Sequence, residues 1–312
     1  MPRVLETGLL GSWRWWYEVI VRGLGGWACD PARHTCSLEA GLCDACRMFG
    51  ATGWRRRFRV IVSEVQKGAS VSVPRRIQAI KHHQSKWYLP GPGYMGKFTL
   101  NLIPWDAEMP LEQILLTLKL IALYGALGAK TGLGYGEVDI LEMPNFDIST
   151  TIEQWEKSLQ KENTSQRPEQ ERRHFKRLPA LTNMFFVHLQ VNSANSPDWQ
   201  PVADLRYALR QALYERCPGL QSFVMGEVRG QRRWASKIRM TVAVNGQMHV
   251  WGWIPEDVKR YCNLPQHQVF GTIRDTLQQH GEIQLWRSFI PIEGGTRSPA
   301  VDIPSFLAHL LV

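Results

Sequence analysis

Apolar residues at the start of the chain recur with the period of a helix. Trp13, Trp16, Tyr17 and Ile20 fall at i, i+3, i+4 and i+7 and form one stripe, while Arg14, Glu18 and Arg22, four apart, form a charged face. The pattern predicts a helix over residues 9–24. Periodicity is then lost over 26–53, which reads as a compact loop. Alternation returns in "RFRVIVSEV" and "KFTLNLIP", two strands separated by the Pro/Gly-rich "YLPGPGYMG". "LEQILLTLKLIALYGAL" predicts a helix entered after Pro110, and "EVDILEM" predicts a strand over 137–143. Residues 145–178 change character. "EKSLQKENTSQRPEQERRHFKR" is charged and nearly free of aliphatics, which suggests a helical or mobile surface linker.

The pattern beyond the linker is cleaner. "NMFFVHLQV" reads as a strand, "WQPVADLRYALRQALYER" as a helix, and "SKIRMTVAV" and "QMHVWGWIP" as strands joined at Asn245-Gly246, a strong hairpin signal. "HQVFGTIRDTLQQH" is a helix ended by Gly281, and "IQLWRSFIP" a last strand. The order is βαββαβ, the ferredoxin-like unit. The first half reads as the same unit without a clear first strand. The expected fold is therefore α+β, with two ferredoxin-like (RRM-like) domains. These span residues 1–144, carrying a cysteine insertion, and 179–312, with 145–178 between them. The four-stranded sheet of this fold is a common RNA platform.

Charge sharpens the picture. The chain of 312 residues has a formal net charge of +9. Residues 1–100 hold 15 Lys/Arg against 6 Asp/Glu, and the remainder holds 22 of each. All the excess thus lies in the first third, which points to a polyanionic partner, or else to a basic solvated face. No apolar run is long enough for a membrane span, and the N-terminus does not read as a signal peptide. A cytoplasmic protein with no membrane partner is expected, and there clustered cysteines point to metal more than to disulfides.

Four of the six cysteines lie in "CDPARHTCSLEAGLCDAC". Cys29, Cys36, Cys43 and Cys46 could supply the four soft ligands of a closed, structural zinc site, with His34 able to replace one of them. Free thiols are the plain alternative. Cys217 and Cys262 read as ordinary core residues.

Three basic segments are candidates for RNA. In "GSWRWWYEVIVRG" the tryptophans read as core or as base-stacking groups, with Arg14 and Arg22 as phosphate contacts. "GWRRRFRV" offers Arg55, Arg56 and Arg57, although strand alternation keeps them from reaching one ligand together. "PRRIQAIKHHQSKWY" adds Arg75, Arg76 and Lys86 in a basic loop; His82 and His83 there could do acid–base chemistry at an RNA 2′-hydroxyl. Finally, "GALGAKTGLGYGEV" holds five glycines around Lys130. It lacks the order of a P-loop. Two readings remain open: a tight helix-to-strand turn, or a cradle whose backbone approaches a phosphate chain.

Three of these motifs, "LGSWRWWYEVIVRG", "CRMFG" and "GALGAKTGLGYGEV", together resemble the RAMP superfamily of CRISPR proteins, and within it the Cmr-one family of type III-B effector subunits. The resemblance spans roughly residues 6–142. It implies two ferredoxin-like domains and a non-catalytic subunit of the Cmr complex in antiviral defence, which binds crRNA and target RNA beside other effector subunits. Carried onto this chain, it makes Arg14, Trp15, Lys130, Gly128, Gly132, Gly134 and Gly136 RNA contacts. This chain departs from the family in two ways. Members begin with a strand ahead of the "RWW" helix, so a partner would supply it here or the start is late; and the cysteine cluster is not general among them. The enzyme alternative is a RAMP endoribonuclease, using His82 or His83 or an aspartate on a loop. A zinc-stabilised scaffold without RNA is the third reading.

Overall fold

The computed structural model describes residues 4–33, 36–39, 41–80, 87–89, 91, 93–159, 176–193, 196–229, 232–292 and 300–312. Helix α1 (Glu6–Gly23) buries the predicted stripe, with Trp13, Trp16, Tyr17 and Ile20 all in the core. The cysteine segment follows and ends in the short helix α2 (Asp44–Phe49). Strands β1 (Phe58–Val71) and β4 (Gly93–Pro104) form a two-stranded antiparallel ribbon, and β2 (Arg76–Ile77) and β3 (Trp87–Tyr88) pair between them. Helix α3 (Leu111–Tyr124) packs beside α1; Trp13 donates from its indole to the Ile114 carbonyl at 3.2 Å, and Tyr17 to Gln113 at 2.8 Å.

The strand expected over 137–143 does not form. These residues pair with no other strand among the described residues, so the first half carries a two-stranded ribbon and not a fuller sheet. Nor is the whole segment after residue 145 solvated linker. Ile148–Ser158 is helix α4, capped by Asp147 and anchored by buried Ile152 and Trp155; the stretch beyond it, 160–175, lies outside the described residues.

The second half contains β5 (Met184–Gln190), α5 (Gln200–Arg216), α6 (Pro218–Met225), the hairpin β6 (Glu227–Arg229) and β7 (Arg232–Trp234), β8 (Ile238–Met240), β9 (Gln247–Trp253), α7 (Lys259–Cys262), α8 (Gln266–His280) and β10 (Glu282–Ser288). Four of these strands form one antiparallel sheet in the order β10-β5-β9-β8. The expected turn before β9 is present: Asn245 and Gly246 both have positive φ, at 52° and 80°.

Strand alternation divides β5 between two cores. Phe185, Val187 and Leu189 face α5 and α8, where Leu205, Leu209, Phe270 and Ile273 complete one core. Met184 and Phe186 face the other way, into a core shared with α1, α3 and α4. Trp16 stacks on Phe186 with ring centroids 6.2 Å apart and lies 6.0 Å from Trp251. The sheet face expected to serve as an RNA platform is therefore covered by protein.

Two further corrections concern single features. Cys217 and Cys262 are joined in a disulfide between the start of α6 and the end of α7, and so are not ordinary core thiols. They are 45 residues apart in sequence and meet only through the packing of those helices. The last helix, α9 (Ile303–Leu311), has no counterpart in the pattern reading; it buries Phe306, Leu307, Leu310 and Leu311 in the core of the first half.

Candidate metal centre and nucleic-acid surface

The four clustered cysteines converge. Cys29 leaves the turn after α1, Cys36 follows in the loop, Cys43 is the N-cap of α2 and Cys46 lies in its first turn. All four are buried, and their sulfurs lie within 4.8 Å of one another. The loop is held from several sides. Asp44 accepts from the Trp27 amide at 2.9 Å, and the Cys46 amide donates to Cys43 Sγ at 3.3 Å. Hydrogen bonding within the cluster pushes the Cys43 thiol down and the Cys29 thiol up. These residues could hold a metal ion. Zinc bonded to sulfur at about 2.3 Å places tetrahedral sulfurs about 3.8 Å apart, and Cys29 Sγ and Cys46 Sγ are 3.7 Å apart. The spacing suits that metal. His34 lies outside the described residues.

The charged face of α1 is turned into this centre. Glu18 is buried and accepts from Arg14 Nε at 2.8 Å and from Arg22 Nη2 at 3.1 Å. Burial pushes the Glu18 carboxyl up, against both arginines, which lower it. Arg14 also donates to the Gly50 carbonyl at 3.1 Å and to Cys46 Sγ at 3.0 Å. Arg22 donates to the carbonyls of Ala28, Cys29 and Pro179 at 3.0, 3.0 and 3.1 Å. Both side chains expected to meet RNA are thus engaged within the protein. Trp15 packs on Trp253, with ring centroids 5.8 Å apart.

The remaining basic candidates spread over the surface. Arg55 is exposed and sits over the Trp105 ring at 4.4 Å. Arg56 donates to the Phe58 carbonyl at 2.6 Å, and Arg57 makes a two-point ion pair with Asp106. Arg75 and Arg76 are exposed at β2. Lys86, with His82 and His83, lies outside the described residues.

The glycine-rich stretch forms a turn docked on the second half. Lys130 is exposed and has a left-handed φ of 64° at the start of a short 3-10 turn. The Ser12 hydroxyl accepts from the Gly128 amide at 2.7 Å. Gly134, at φ 95°, accepts at its carbonyl from the Val242 amide at 2.9 Å, so the turn joins the end of β8. Gly136, at φ 94°, leaves no room for a side chain, because a Cβ there would strike the Leu127 carbonyl. At these two positions closeness serves contact with protein backbone. Arg206 and Arg239, which the sequence reading passed over, flank Gly132. They sit in an ordinary amphipathic helix and a strand, and only the docking of the turn brings them together.

Residues 1–139 match the model of the RAMP superfamily. The match covers 139 of the 312 residues. The matched segment holds α1, the cysteine centre, the β1–β4 ribbon, α3 and the glycine-rich turn. Among solved structures, the crystal structure of Cmr1 from Pyrococcus furiosus (apo form) is similar at 15% identity, with 79% of each chain covered and a TM-score of 0.38. No curated protein matches the sequence. Among the described residues no helix is long and apolar enough to cross a membrane.

Proposed function

We propose that the protein is a non-catalytic, RNA-binding subunit of a type III CRISPR effector complex, of the Cmr type, with zinc at the four-cysteine centre. The observation that carries this reading is the RAMP match over residues 1–139, which coincides with the part of the chain holding all the excess positive charge. Guide and target RNA and neighbouring effector subunits are the partners, in the cytoplasm. Both halves are read as ferredoxin-like domains, 1–144 and 179–312, joined through 145–178. The sheet order β10-β5-β9-β8, with α5 and α8 on one face, supports this for the second half. The zinc is structural: four buried protein ligands leave no position for a catalytic water. It would stitch the end of α1 to α2, with Arg14 and Arg22 offsetting an anionic thiolate centre. Since the sheet face is covered, RNA lies on the exposed arginines Arg55, Arg75 and Arg76 and on the turn at Lys130.

Purified protein incubated with labelled single-stranded RNA, with magnesium and with EDTA, tests the reading. Retention of intact RNA on the protein in both conditions is expected. Cleavage would replace it with the endoribonuclease reading, and failure to retain RNA would leave a scaffold.

A further inference from the structure

Two of the six cysteines stand apart from the metal centre. Cys217 and Cys262 are joined to each other and both are half-buried, whereas Cys29, Cys36, Cys43 and Cys46 are buried free thiols. Thiol–disulfide exchange needs a sulfur that a second thiol can reach. The outer pair meets that condition, and the inner four are screened by protein.

The bond joins unequal partners. Helix α6 is rooted in the second core through buried Leu220, Val224 and Met225. Helix α7 is a single turn of four residues, none of them buried, and is too short to hold its own shape. Next to the bond it is held by Val258, buried just before it, and by the Tyr261 ring, stacked on Phe223 with centroids 4.0 Å apart. The same segment receives charge from elsewhere. Glu256 accepts from Lys176 at 3.2 Å, and Asp257 lies 2.6 Å from Arg177. Lys176 and Arg177 belong to the stretch that leads into β5, so part of the approach to the second half rests on the segment that the bond fastens.

We infer that Cys217–Cys262 is a reversible thiol–disulfide site that exchanges with a low-molecular-weight thiol of the glutathione class, fixing residues 256–262 on α6 when closed and releasing them when open. In the opening step an external thiolate attacks one sulfur of the bond and forms a mixed disulfide, while the other cysteine leaves as a thiolate and takes a proton. A second external thiol then displaces the first cysteine. One protein disulfide and two external thiols become a protein dithiol and one external disulfide, with two electrons passing to the protein. Closing is the reverse, with the external disulfide as oxidant. In the cytoplasm proposed above, a disulfide is usually transient or redox-sensing. Opening leaves α6 in its core and frees α7, and the carboxylates beneath Lys176 and Arg177 loosen with it.

The exchange needs neither RNA nor a partner subunit, so the purified chain tests it. Wild-type protein is equilibrated with reduced and oxidised glutathione in varied ratio, pulsed with iodoacetamide while native, and mapped by mass spectrometry. Label at Cys217 and Cys262 should rise together as reduced glutathione is raised, and should not appear at the four inner cysteines. A bond that stays closed in excess reduced glutathione alone is structural and overturns the inference; so do two thiols that excess oxidised glutathione never joins. Release is read with trypsin, because Lys259 and Arg260 are exposed on α7. The double variant Cys217→Ser/Cys262→Ser should be cut after them at least about tenfold faster than oxidised wild type, as loss of the cross-link raises the open population by that order. Cleavage after Arg55, in the first half, should be unchanged. Should the variant fail to fold, hydrogen exchange of the closed and the glutathione-opened wild type reads the same release at 256–263. Equal cleavage of a folded variant, or equal protection in the two wild-type states, would overturn the clamp.

Discussion

Arg14 donates a hydrogen bond to the sulfur of Cys46 at 3.0 Å, while its other guanidinium nitrogens hold Glu18 and the Gly50 carbonyl. One side chain thus ties helix α1 to the cysteine centre and to the end of α2. Arg14→Ala should destabilise the fold by about 1.5–3 kcal/mol, the range for charge-assisted hydrogen bonds. Urea unfolding would measure this. A variant as stable as wild type, with weakened RNA binding, would return Arg14 to the nucleic-acid surface.

Metal analysis of purified protein should find about one zinc per chain. Cys43→Ser should lose the metal and lower the melting temperature, since structural zinc contributes its binding energy to folding. Stoichiometric thiol titration of all four cysteines in the native protein would refute this.

Arg55→Ala, Arg75→Ala and Arg76→Ala combined should flatten the salt dependence of RNA binding by about two units, at about 0.7 per contact on single strands. All three are exposed, so folding should be unaffected. An unchanged slope would assign them to the solvated surface.

Glu137 is half-buried, and its buried Oε2 has no hydrogen-bond partner among the described residues. Burial, with Asp139 adding to it and Thr241 opposing, raises its pKa to about 7. The folded state therefore binds this proton more tightly than the unfolded chain does, and stability should fall as pH rises from about 4.5 to 7. His249 acts in the opposite sense over most of that window, from about 4 to 6.5, because burial and His188 lower its pKa to about 4, so the wild type alone shows little net change. The difference between wild type and Glu137→Gln isolates the carboxylate: the variant should gain relative stability above pH 7. Parallel melting curves across that range would disprove it.

Gly136→Ala should cost roughly 1 kcal/mol or more, from positive φ and from the collision with Leu127. RNA affinity, measured well below the melting temperature, should not change. A stable variant with weak RNA binding would give Gly136 to the ligand.

Local chemistry was legible in the chain wherever few residues decide it. The stripe of Trp13, Trp16 and Tyr17 declared itself buried, the Asn245-Gly246 turn set the β8–β9 hairpin, and four cysteines within 18 residues announced one centre. What local pattern could not show depends on distant partners. Arg14 and Arg22 look solvent-facing by helical period, yet the returning loop of Cys29–Cys46 covers them. "EVDILEM" has strand composition but finds no neighbouring strand among the described residues. The Cys217–Cys262 bond and the pairing of Arg206 with Gly132 join residues 45 and 74 positions apart, and no local pattern carries that.

Helix α9 closes a core begun nearly three hundred residues earlier: Phe306 and Leu310 lie in the same cluster as Trp13 and Ile20. A ribosome emits α1 first and α9 last. The half that emerges first therefore remains unfinished until the final turn of helix has left the exit tunnel, whereas β5 to β10 can assemble their own core beforehand. Where a leading domain commonly settles first, here the trailing segment is the clasp, and the core around α1 is complete only once that clasp has been made.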